Sequence, residues 1–419
     1  MALIDDFADF VSASPSSYHA ANEVARRLDA AGYARQDETD AWDGAPGGHY
    51  IVRDGAVVAY VLPEHLDGST VGRIVGTHTD SPGFKLKPHP AHASAGWAQV
   101  GMEVYGGPLY NSWLDQEFGL AGRVVTRDGA VHLVSTPPWL RIPQLAPHLD
   151  RTINDSLVLD PQTHLMPVAG VGELDVMAAV AGLIGCEADD IAGHDLFANT
   201  TQPPAVIGLR GDLFASRRLD NLTSVYAGLT ALLAASSHGG LSVLACFDHE
   251  EVGSSSRTGA CGPLLEDVLR RILAGNGADE DARQRFFARS WVVSADAGHS
   301  VNPNYAGKTD PDEQPIVGAG PMVKTNAKQR YTTDAAGEAL WARLSDAAGV
   351  PHQTFVSNNA VPCGSTIGPL TAVRLGIRTV DVGVPLLSMH STRELCGVDD
   401  LGHLATALGV FFADPQPVG

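Results

Sequence analysis

The hydrophobic positions at the start of the chain follow a helical period. Apolar residues within 3–11 recur every three or four positions, which predicts a first helix. A second pattern of this kind begins near Ser17 and ends at Gly32, a residue typical of helix ends. We therefore expect the chain to open with two helices.

Strand patterns follow these helices. The apolar run over residues 51–62 is interrupted by Asp54 and Gly55, which predicts a hairpin with its turn at that pair. A short apolar strand over residues 73–77 runs directly into His78. Later apolar strands alternate with helical patterns, which is typical of βα units; they cover residues 241–247, 291–295 and 378–382.

The pattern changes between residues 88 and 202. Val100, Met102 and Val104 alternate with polar residues, and such alternation predicts strands with one buried face. We interpret this segment as an inserted, strand-rich second domain. Residues 1–87 and 203–419 then form one discontinuous domain, and the predicted fold class is α/β.

Composition narrows the possible functions. The chain has 419 residues, 44% of them apolar, which is enough for a large buried core. It carries 28 Lys and Arg against 48 Asp and Glu, a net charge of −20. Such a field repels phosphate backbones and anionic membranes, so we expect neither nucleic acid nor membrane as a partner.

The expected location is the cytoplasm. Asp5, Asp6 and Asp9 lie where a secretory signal needs basic residues and an unbroken apolar stretch. The five cysteines are scattered, without a CxxC pair, which argues against a disulfide framework and against a thiolate zinc site.

Polar clusters recur where apolar strands stop. In open α/β sheets, ligands usually bind beyond the carboxyl ends of strands, so these clusters are candidates for one shared site. Alone, each is weak, because strand-end aspartates often cap helices and paired glutamates often face solvent. The candidates are His78, Asp80, Glu250, Glu251, Asp296 and His390.

Together these residues point to metal chemistry. Two divalent ions that share a bridging carboxylate require a mixture of imidazole and carboxylate ligands, and two histidines with three carboxylates suffice. Asp220, before a predicted helix near Asn221, is the candidate for the fifth ligand. The adjacent Glu250 and Glu251 can divide two tasks, metal coordination and proton transfer from water. Asp80 can orient His78 through its other ring nitrogen.

At these positions the sequence resembles the aspartyl aminopeptidase family of dinuclear zinc metallopeptidases, whose relatives include the vacuolar leucine aminopeptidase. The similarity covers nearly the whole chain. The stretches that carry it occur in family order: HTDSPGFKLKP, VYGGPLYNSWLDQEFGLAGRV, RIPQLAPHLDR, SRRLDNL, DHEEVGSSSRTGA, SADAGHSVNPNY, GPMVKTNAKQRY, CGSTIGP and SMHSTRE.

The resemblance implies a role for each matched residue. It implies two zinc ions bridged by Asp220, with cobalt or manganese as possible substitutes. His78 and Asp296 would complete one ion site and Glu251 and His390 the other. By the same transfer, Glu250 is the general base, Asp80 supports catalysis, Lys324 pairs with an acidic substrate side chain, and His148 reaches a neighbouring subunit's active site.

The resemblance also implies a catalytic α/β/α core around a mixed central sheet, formed by residues 1–87 and 203–419 and interrupted by a strand-rich dimerisation domain at residues 88–202. It further implies peptide substrates and a homo-oligomer, a dodecamer by analogy. Three departures from the family pattern lie around the expected substrate and subunit contacts, so they bear on specificity more than on chemistry. They are Asn302 and Gln144, where histidine is common, and Pro108.

Several alternatives stay open from the sequence. A neutral, leucyl-type aminopeptidase would use the same ligands, and one lysine is a small basis for acidic selectivity. A catalytically inactive assembly or binding protein would be expected to lose at least one of the central residues. A hydrolase of acylated amino acids would use a similar dinuclear site.

Overall fold

The computed structural model describes residues 3–42, 44–66, 69–236 and 240–414. Within them the α-helices are α1 (Leu3–Ala13), α2 (Ser17–Ala30), α3 (Val176–Ile184), α4 (Leu219–Leu233), α5 (Leu264–Gly275), α6 (Glu280–Arg289), α7 (Ala335–Ala348), α8 (Ile367–Leu375) and α9 (Val398–Ala413). The two predicted opening helices are confirmed. None of the described helices is long and apolar enough to cross a membrane.

The strands up to residue 135 are β1 (Ala34–Arg35), β2 (Gly47–Arg53), β3 (Ala56–Leu62), β4 (Gly72–His78), β5 (Gly83–Ser94), β6 (Trp97–Tyr105), β7 (Glu117–Thr126) and β8 (Val131–Ser135). The next group comprises β9 (Leu140–Arg141), β10 (Val168–Val171), β11 (Ile191–Thr200), β12 (Ala205–Ile207), β13 (Leu213–Ser216), β14 (Leu241–Phe247) and β15 (Trp291–Ala295). The last are β16 (Gly298–His299), β17 (Met322–Thr325), β18 (Gln353–Val356), β19 (Arg378–Gly383), β20 (Pro385–Leu386) and β21 (Glu394–Gly397).

Two compact units make up the chain. The first contains the described residues of Met1–Asp80, Ala205–Met389 and Glu394–Gly419. The second contains Ser81–Pro204 and His390–Arg393. The role of residues 88–202 in dimerisation stays a prediction.

The first unit is built on a nine-stranded mixed sheet in the order β1-β2-β3-β14-β4-β15-β19-β17-β18. Alternation along its strands sends neighbouring side chains to opposite faces. Val75 and Leu244 pack in one core with α1, α2, α4, α7 and α9, whereas Ile74 and Val243 pack in another with α5, α6 and α8. The sheet therefore lies between two helical layers, and the predicted α/β/α fold class is confirmed.

The second unit is dominated by antiparallel strands. Its seven-stranded sheet runs in the order β11-β5-β6-β10-β9-β7-β8, and an additional pairing of β11 with β7 closes the sheet on itself. Aromatic and branched side chains such as Phe84, Trp113 and Phe118 fill its core. The predicted strand around Val100 is present as β6.

Candidate metal centre and active site

Three adjacent strands of the first unit end at one edge of its sheet. β4 pairs in parallel with β14 on one side and with β15 on the other. His78 is the last residue of β4, Asp296 follows β15, and Glu250 and Glu251 follow β14 after a two-residue connection. Because these strands run in the same direction, their carboxyl ends bring the polar residues together.

The ring of His78 is held in one orientation. Its Nδ1 donates a hydrogen bond to the backbone oxygen of Asp80 at 3.1 Å, which leaves Nε2 as the ring nitrogen that faces the acidic side chains. That Nε2 atom lies 3.3 Å from Oδ1 of Asp220 and 3.3 Å from Oδ1 of Asp296. The imidazole is 1% exposed, so it presents one nitrogen to two buried carboxylates.

Asp220 occupies a position shaped by its backbone contacts. It lies at the start of α4 with non-helical φ and ψ. Its N–H donates to Oε2 of Glu394 at 2.9 Å, and Nδ2 of the next residue, Asn221, donates to the backbone oxygen of Ala295 at 2.9 Å. Glu394, 2% exposed, is a site residue that the sequence analysis missed, although it closes the SMHSTRE motif.

Asp80 supports the pair of glutamates. The backbone N–H of Glu250 donates to Oδ1 of Asp80 at 3.0 Å, and that of Glu251 donates to Oδ2 at 3.1 Å. Oδ1 also lies 3.5 Å from Nδ1 of His78. One buried carboxylate thereby holds the 3₁₀ turn Glu250–Val252 in place beside the histidine.

The potential ligand atoms are close enough to share a cation. One atom each from His78, Asp220 and Asp296 lie within 4.8 Å of one another, and so do atoms from His78, Glu250 and Glu251. We call the five acidic side chains the strand-end acidic cluster: Asp80, Asp220, Glu250, Glu251 and Asp296.

Electrostatics in this cluster favour added positive charge. Burial and the neighbouring carboxylates raise the pKa of Glu250 to about 8. Burial together with the charges of Asp220 and Glu250 raises the pKa of Glu251 well above its usual value. Although burial opposes its charge, hydrogen bonds to Asp220, Asp296 and Asp80 raise the pKa of His78.

These residues fit a divalent metal ion. Imidazole nitrogen and carboxylate oxygen are ligands that zinc takes in catalytic sites. Burial of several carboxylates beside one histidine is costly unless a cation compensates their charge. The donor set and its surroundings therefore match the metal chemistry expected from the sequence.

Lys324 supports the cluster through hydrogen bonds to the backbone at Asp296 and Ala297. It is 1% exposed, and its Nζ donates to the backbone oxygens of Asp296 at 2.8 Å and Ala297 at 3.2 Å. Gly383 in β19 lets that strand come close, since a Cβ there would lie 1.7 Å from the backbone oxygen of Asp296. The backbone around Asp296 is thus fixed by a buried ammonium and by a close approach that requires glycine.

Two other predicted site residues belong to the second unit. His390 has a positive φ of 66°, and its Nδ1 donates to the backbone oxygen of Gly107 at 2.9 Å. As for His78, Nε2 is then the ring nitrogen that could bind a metal ion. His148 lies in an exposed turn. Their predicted roles stay predictions.

A cavity of about 250 Å³ lies in the first unit. One of the residues that line it, His299, follows Asp296 closely in the sequence. Tyr331 lines it, and the Nζ of Lys324 lies 5.1 Å from the centre of that ring. The remaining lining mixes apolar and polar residues, among them His299, Asn302, Lys308, Phe355, Leu386 and Met389. None of the described residues that line it is Asp or Glu.

Comparison with known proteins bears on this site. Residues 10–412 match the family described as aminopeptidase I zinc metalloprotease (M18). Over 418 residues the chain is 50% identical to the probable M18 family aminopeptidase 2 of Streptomyces avermitilis, covering 97% of this chain and 96% of the relative. Over 425 residues it is 46% identical to the protein of that name from Pseudomonas putida, covering 98% of both chains.

Solved structures are similar over the whole chain. A chain of the Ape4 and Nbr1 complex has a TM-score of 0.94 at 33% identity, covering 98% of this chain and 85% of that one. An M18 aminopeptidase from Thermotoga maritima has a TM-score of 0.88 at 26% identity, covering 98% and 96%. This chain therefore belongs to the M18 family of zinc metallopeptidases, the aminopeptidase I family.

Proposed function

We propose that this M18 aminopeptidase is a dinuclear zinc enzyme that removes acidic residues from the N-terminus of peptides. The observation that carries the proposal is the convergence of His78 with the strand-end acidic cluster at one edge of the sheet. The family supports a zinc-dependent aminopeptidase. The number of ions and the preference for Asp or Glu, in the sense of an aspartyl aminopeptidase, are the parts proposed here.

In this proposal Asp220 would be the ligand shared by two zinc ions. His78 and Asp296 would complete one ion site, which is supported by the 3.3 Å separations that join Nε2 of His78 to the two aspartates. Glu251 and His390 would complete the other, as the family resemblance implies. Cobalt or manganese suits similar nitrogen and oxygen ligands and could replace zinc.

Glu250 is the general base. Zinc bound beside it would supply Lewis-acid chemistry, polarising the scissile carbonyl and lowering the pKa of water from about 16 to about 7. Glu250 takes a proton from the attacking water and later delivers it to the leaving amine. Asp80 keeps this carboxylate in position, because it accepts the backbone N–H groups of both Glu250 and Glu251.

The proposed preference for acidic N-terminal residues rests on the positive charge of Lys324. An ammonium group has three protons to donate, and two carbonyl oxygens account for two of those on Lys324. The third can meet a carboxylate of the substrate's first residue. The absence of Asp and Glu among the described residues that line the cavity supports this assignment, since a carboxylate there meets no like charge.

Assembly is the remaining part of the proposal. A solved relative is described as the mApe1 dodecamer of S. cerevisiae, with a TM-score of 0.88 at 27% identity, covering 100% of this chain and 98% of that one. We therefore expect a homo-oligomer here, a dodecamer, with His148 in an exposed turn that is suited to reach a neighbouring subunit. Light scattering would measure the mass directly. A monomer would contradict this part alone.

The function is tested with matched substrates that carry one leaving group. Aspartyl, glutamyl and leucyl substrates with a free amine are compared with N-acetyl-aspartyl substrate. The proposal predicts rapid cleavage of the acidic free-amine substrates and none of the blocked one. Preference for the leucyl substrate, which apolar lining such as Phe355 and Leu386 would favour, would discard the acidic specificity and keep the mechanism.

Two other outcomes would discard more of the proposal. Cleavage of the blocked substrate would point to a hydrolase of acylated amino acids, because such an enzyme does not need the free amine. No cleavage of any substrate by zinc-loaded protein would point to an assembly or binding protein.

A further inference from the structure

Two lysines lie near the cavity, and their surroundings differ. Lys324 is buried, and its Nζ is held by the backbone oxygens of Asp296 and Ala297. Lys308, in contrast, is an exposed residue that lines the cavity directly. It ends the 3₁₀ turn Ala306–Lys308, and no ion pair involving it is found within the described residues.

The charge of the residues that line the cavity is unusual for this chain. Acidic residues outnumber basic ones by 48 to 28, yet none of the described residues that line the cavity is acidic. The ammonium of Lys308 therefore meets no carboxylate among the lining residues and can pair with an anion that enters the cavity from solution.

We propose that Lys308 is a specificity-determining residue, whose ammonium pairs with the side-chain carboxylate of an N-terminal Asp or Glu of the substrate. This inference rests on the proposed aminopeptidase function and adds a residue to it. Lys324 keeps the substrate contact proposed above and also holds the backbone of Asp296. Lys308 adds a second ammonium group for the same carboxylate.

The surroundings set the expected strength of this contact. Apolar walls such as Phe355 and Leu386 exclude water and strengthen a charge-assisted hydrogen bond. The flexible side chain and its exposure weaken the bond, because ordering the chain costs entropy and salt screens the charge. We therefore expect loss of the ammonium to cost about tenfold in selectivity, near the lower end for hydrogen bonds to charged groups.

The experiment measures kcat/KM for aspartyl, leucyl and arginyl substrates in the zinc-loaded protein. Lys308→Met keeps the length of the side chain and removes its charge, whereas Lys308→Glu reverses the charge. Lys328→Met is the matched control, because Lys328 is also exposed but lines a neighbouring cavity of about 510 Å³. Circular dichroism checks that each variant is folded.

The expected result is a loss of about tenfold in the aspartyl-to-leucyl ratio for Lys308→Met. Lys308→Glu should go further and raise arginyl cleavage relative to aspartyl cleavage, which a purely structural role would not produce. Lys328→Met should keep the wild-type ratio. High salt should reduce the wild-type preference but not that of Lys308→Met.

An unchanged ratio in both Lys308 variants would overturn the inference, and so would an equal loss in Lys328→Met. A wild-type protein that prefers leucyl substrate would overturn the acidic specificity of the proposed function, and this inference with it. Failure of the aminopeptidase function itself is distinct from an unchanged ratio, since it appears as no cleavage of any free-amine substrate by the wild-type protein.

Discussion

In the opening helices of the first unit, Asp6 and Glu23 lie against guanidinium groups, whereas at the strand edge Glu250 and Glu251 lie among other carboxylates. Arg27 lies 2.7 Å from both Asp6 and Glu23, and Arg26 lies 2.7 Å from Glu23. We call these four residues the N-terminal ion cluster. The hydrogen bond from Arg27 lowers the pKa of Asp6. Although burial opposes it, hydrogen bonds from Arg26 and Arg27 lower the pKa of Glu23.

The two clusters thus have opposite pKa shifts. In the N-terminal ion cluster, arginines of the same chain compensate the carboxylates, so its charges contribute to folding. In the strand-end acidic cluster, burial and like charges raise the pKa of Glu250 to about 8. The difference indicates where the chain provides its own cations and where it binds cations from solution. Catalysis needs the second arrangement, because a metal ion can act on substrate while an engaged arginine cannot.

Among substitutions in the two clusters, replacement of Glu250 should have the largest effect, and that effect is on kcat. Glu250→Gln keeps the shape of the side chain and removes the base, so kcat should fall by about 10³-fold, within the range for general bases. Zinc content should stay close to that of the wild type. Glu173→Gln, at an exposed position of the second unit, is the control. A variant that retained wild-type kcat would remove Glu250 from the mechanism.

Asp80→Asn should have a smaller effect. The amide group of asparagine would place a donor against the backbone N–H of Glu250 or Glu251, where the carboxylate accepts both. We expect a loss of about 10- to 100-fold in activity or zinc affinity, as for other residues that support metal ligands. Isothermal titration with zinc and steady-state kinetics measure the two quantities. Wild-type values for both would show that the turn is held by other contacts.

In the N-terminal ion cluster, the expected effect is on stability. Arg27→Met would leave Asp6 and Glu23 without their shared cation, so the free energy of unfolding should fall by about 2 kcal/mol. Chemical denaturation of the zinc-loaded protein measures it. Because Arg27 is not part of the strand-end acidic cluster, kcat should stay near that of the wild type. A variant as stable as the wild type would show that the ion pairs add nothing to folding.

The pH dependence of this cluster follows from its lowered pKa values. A carboxylate whose pKa is lower in the folded state stabilises the fold above its unfolded pKa, about 4 for Asp or Glu. That contribution is lost as the pH falls through the folded pKa. The stability difference between wild type and Arg27→Met should therefore be full at pH 7 and shrink below about pH 4. A difference that grew in acid would contradict the assigned sign.

Much of the fold could be predicted from local patterns. The strands β14 and β15 coincide with the apolar runs 241–247 and 291–295, because a strand that is buried on both faces of a sheet needs a short continuous run of hydrophobic residues. The convergence of His78 and Asp296 also follows from this reasoning, since polar residues after such strands share an edge.

Contacts between distant segments could not be predicted in this way. Glu394 accepts a hydrogen bond from the backbone of Asp220, which is 174 residues away. Lys324 would ordinarily be exposed, and only the tertiary fold shows that it is buried beneath Asp296. Neither position carries a local periodicity, so a single sequence offers no signal for these contacts.

The central claim is that the strand-end acidic cluster holds two catalytic zinc ions. The most direct measurement is a zinc titration of chelator-treated protein, with hydrolysis of an aspartyl substrate and bound zinc measured at each step. We predict that chelation abolishes hydrolysis and that activity returns fully once two zinc ions are bound per subunit. Full hydrolysis by metal-free protein, or full recovery with a single ion, would contradict the account.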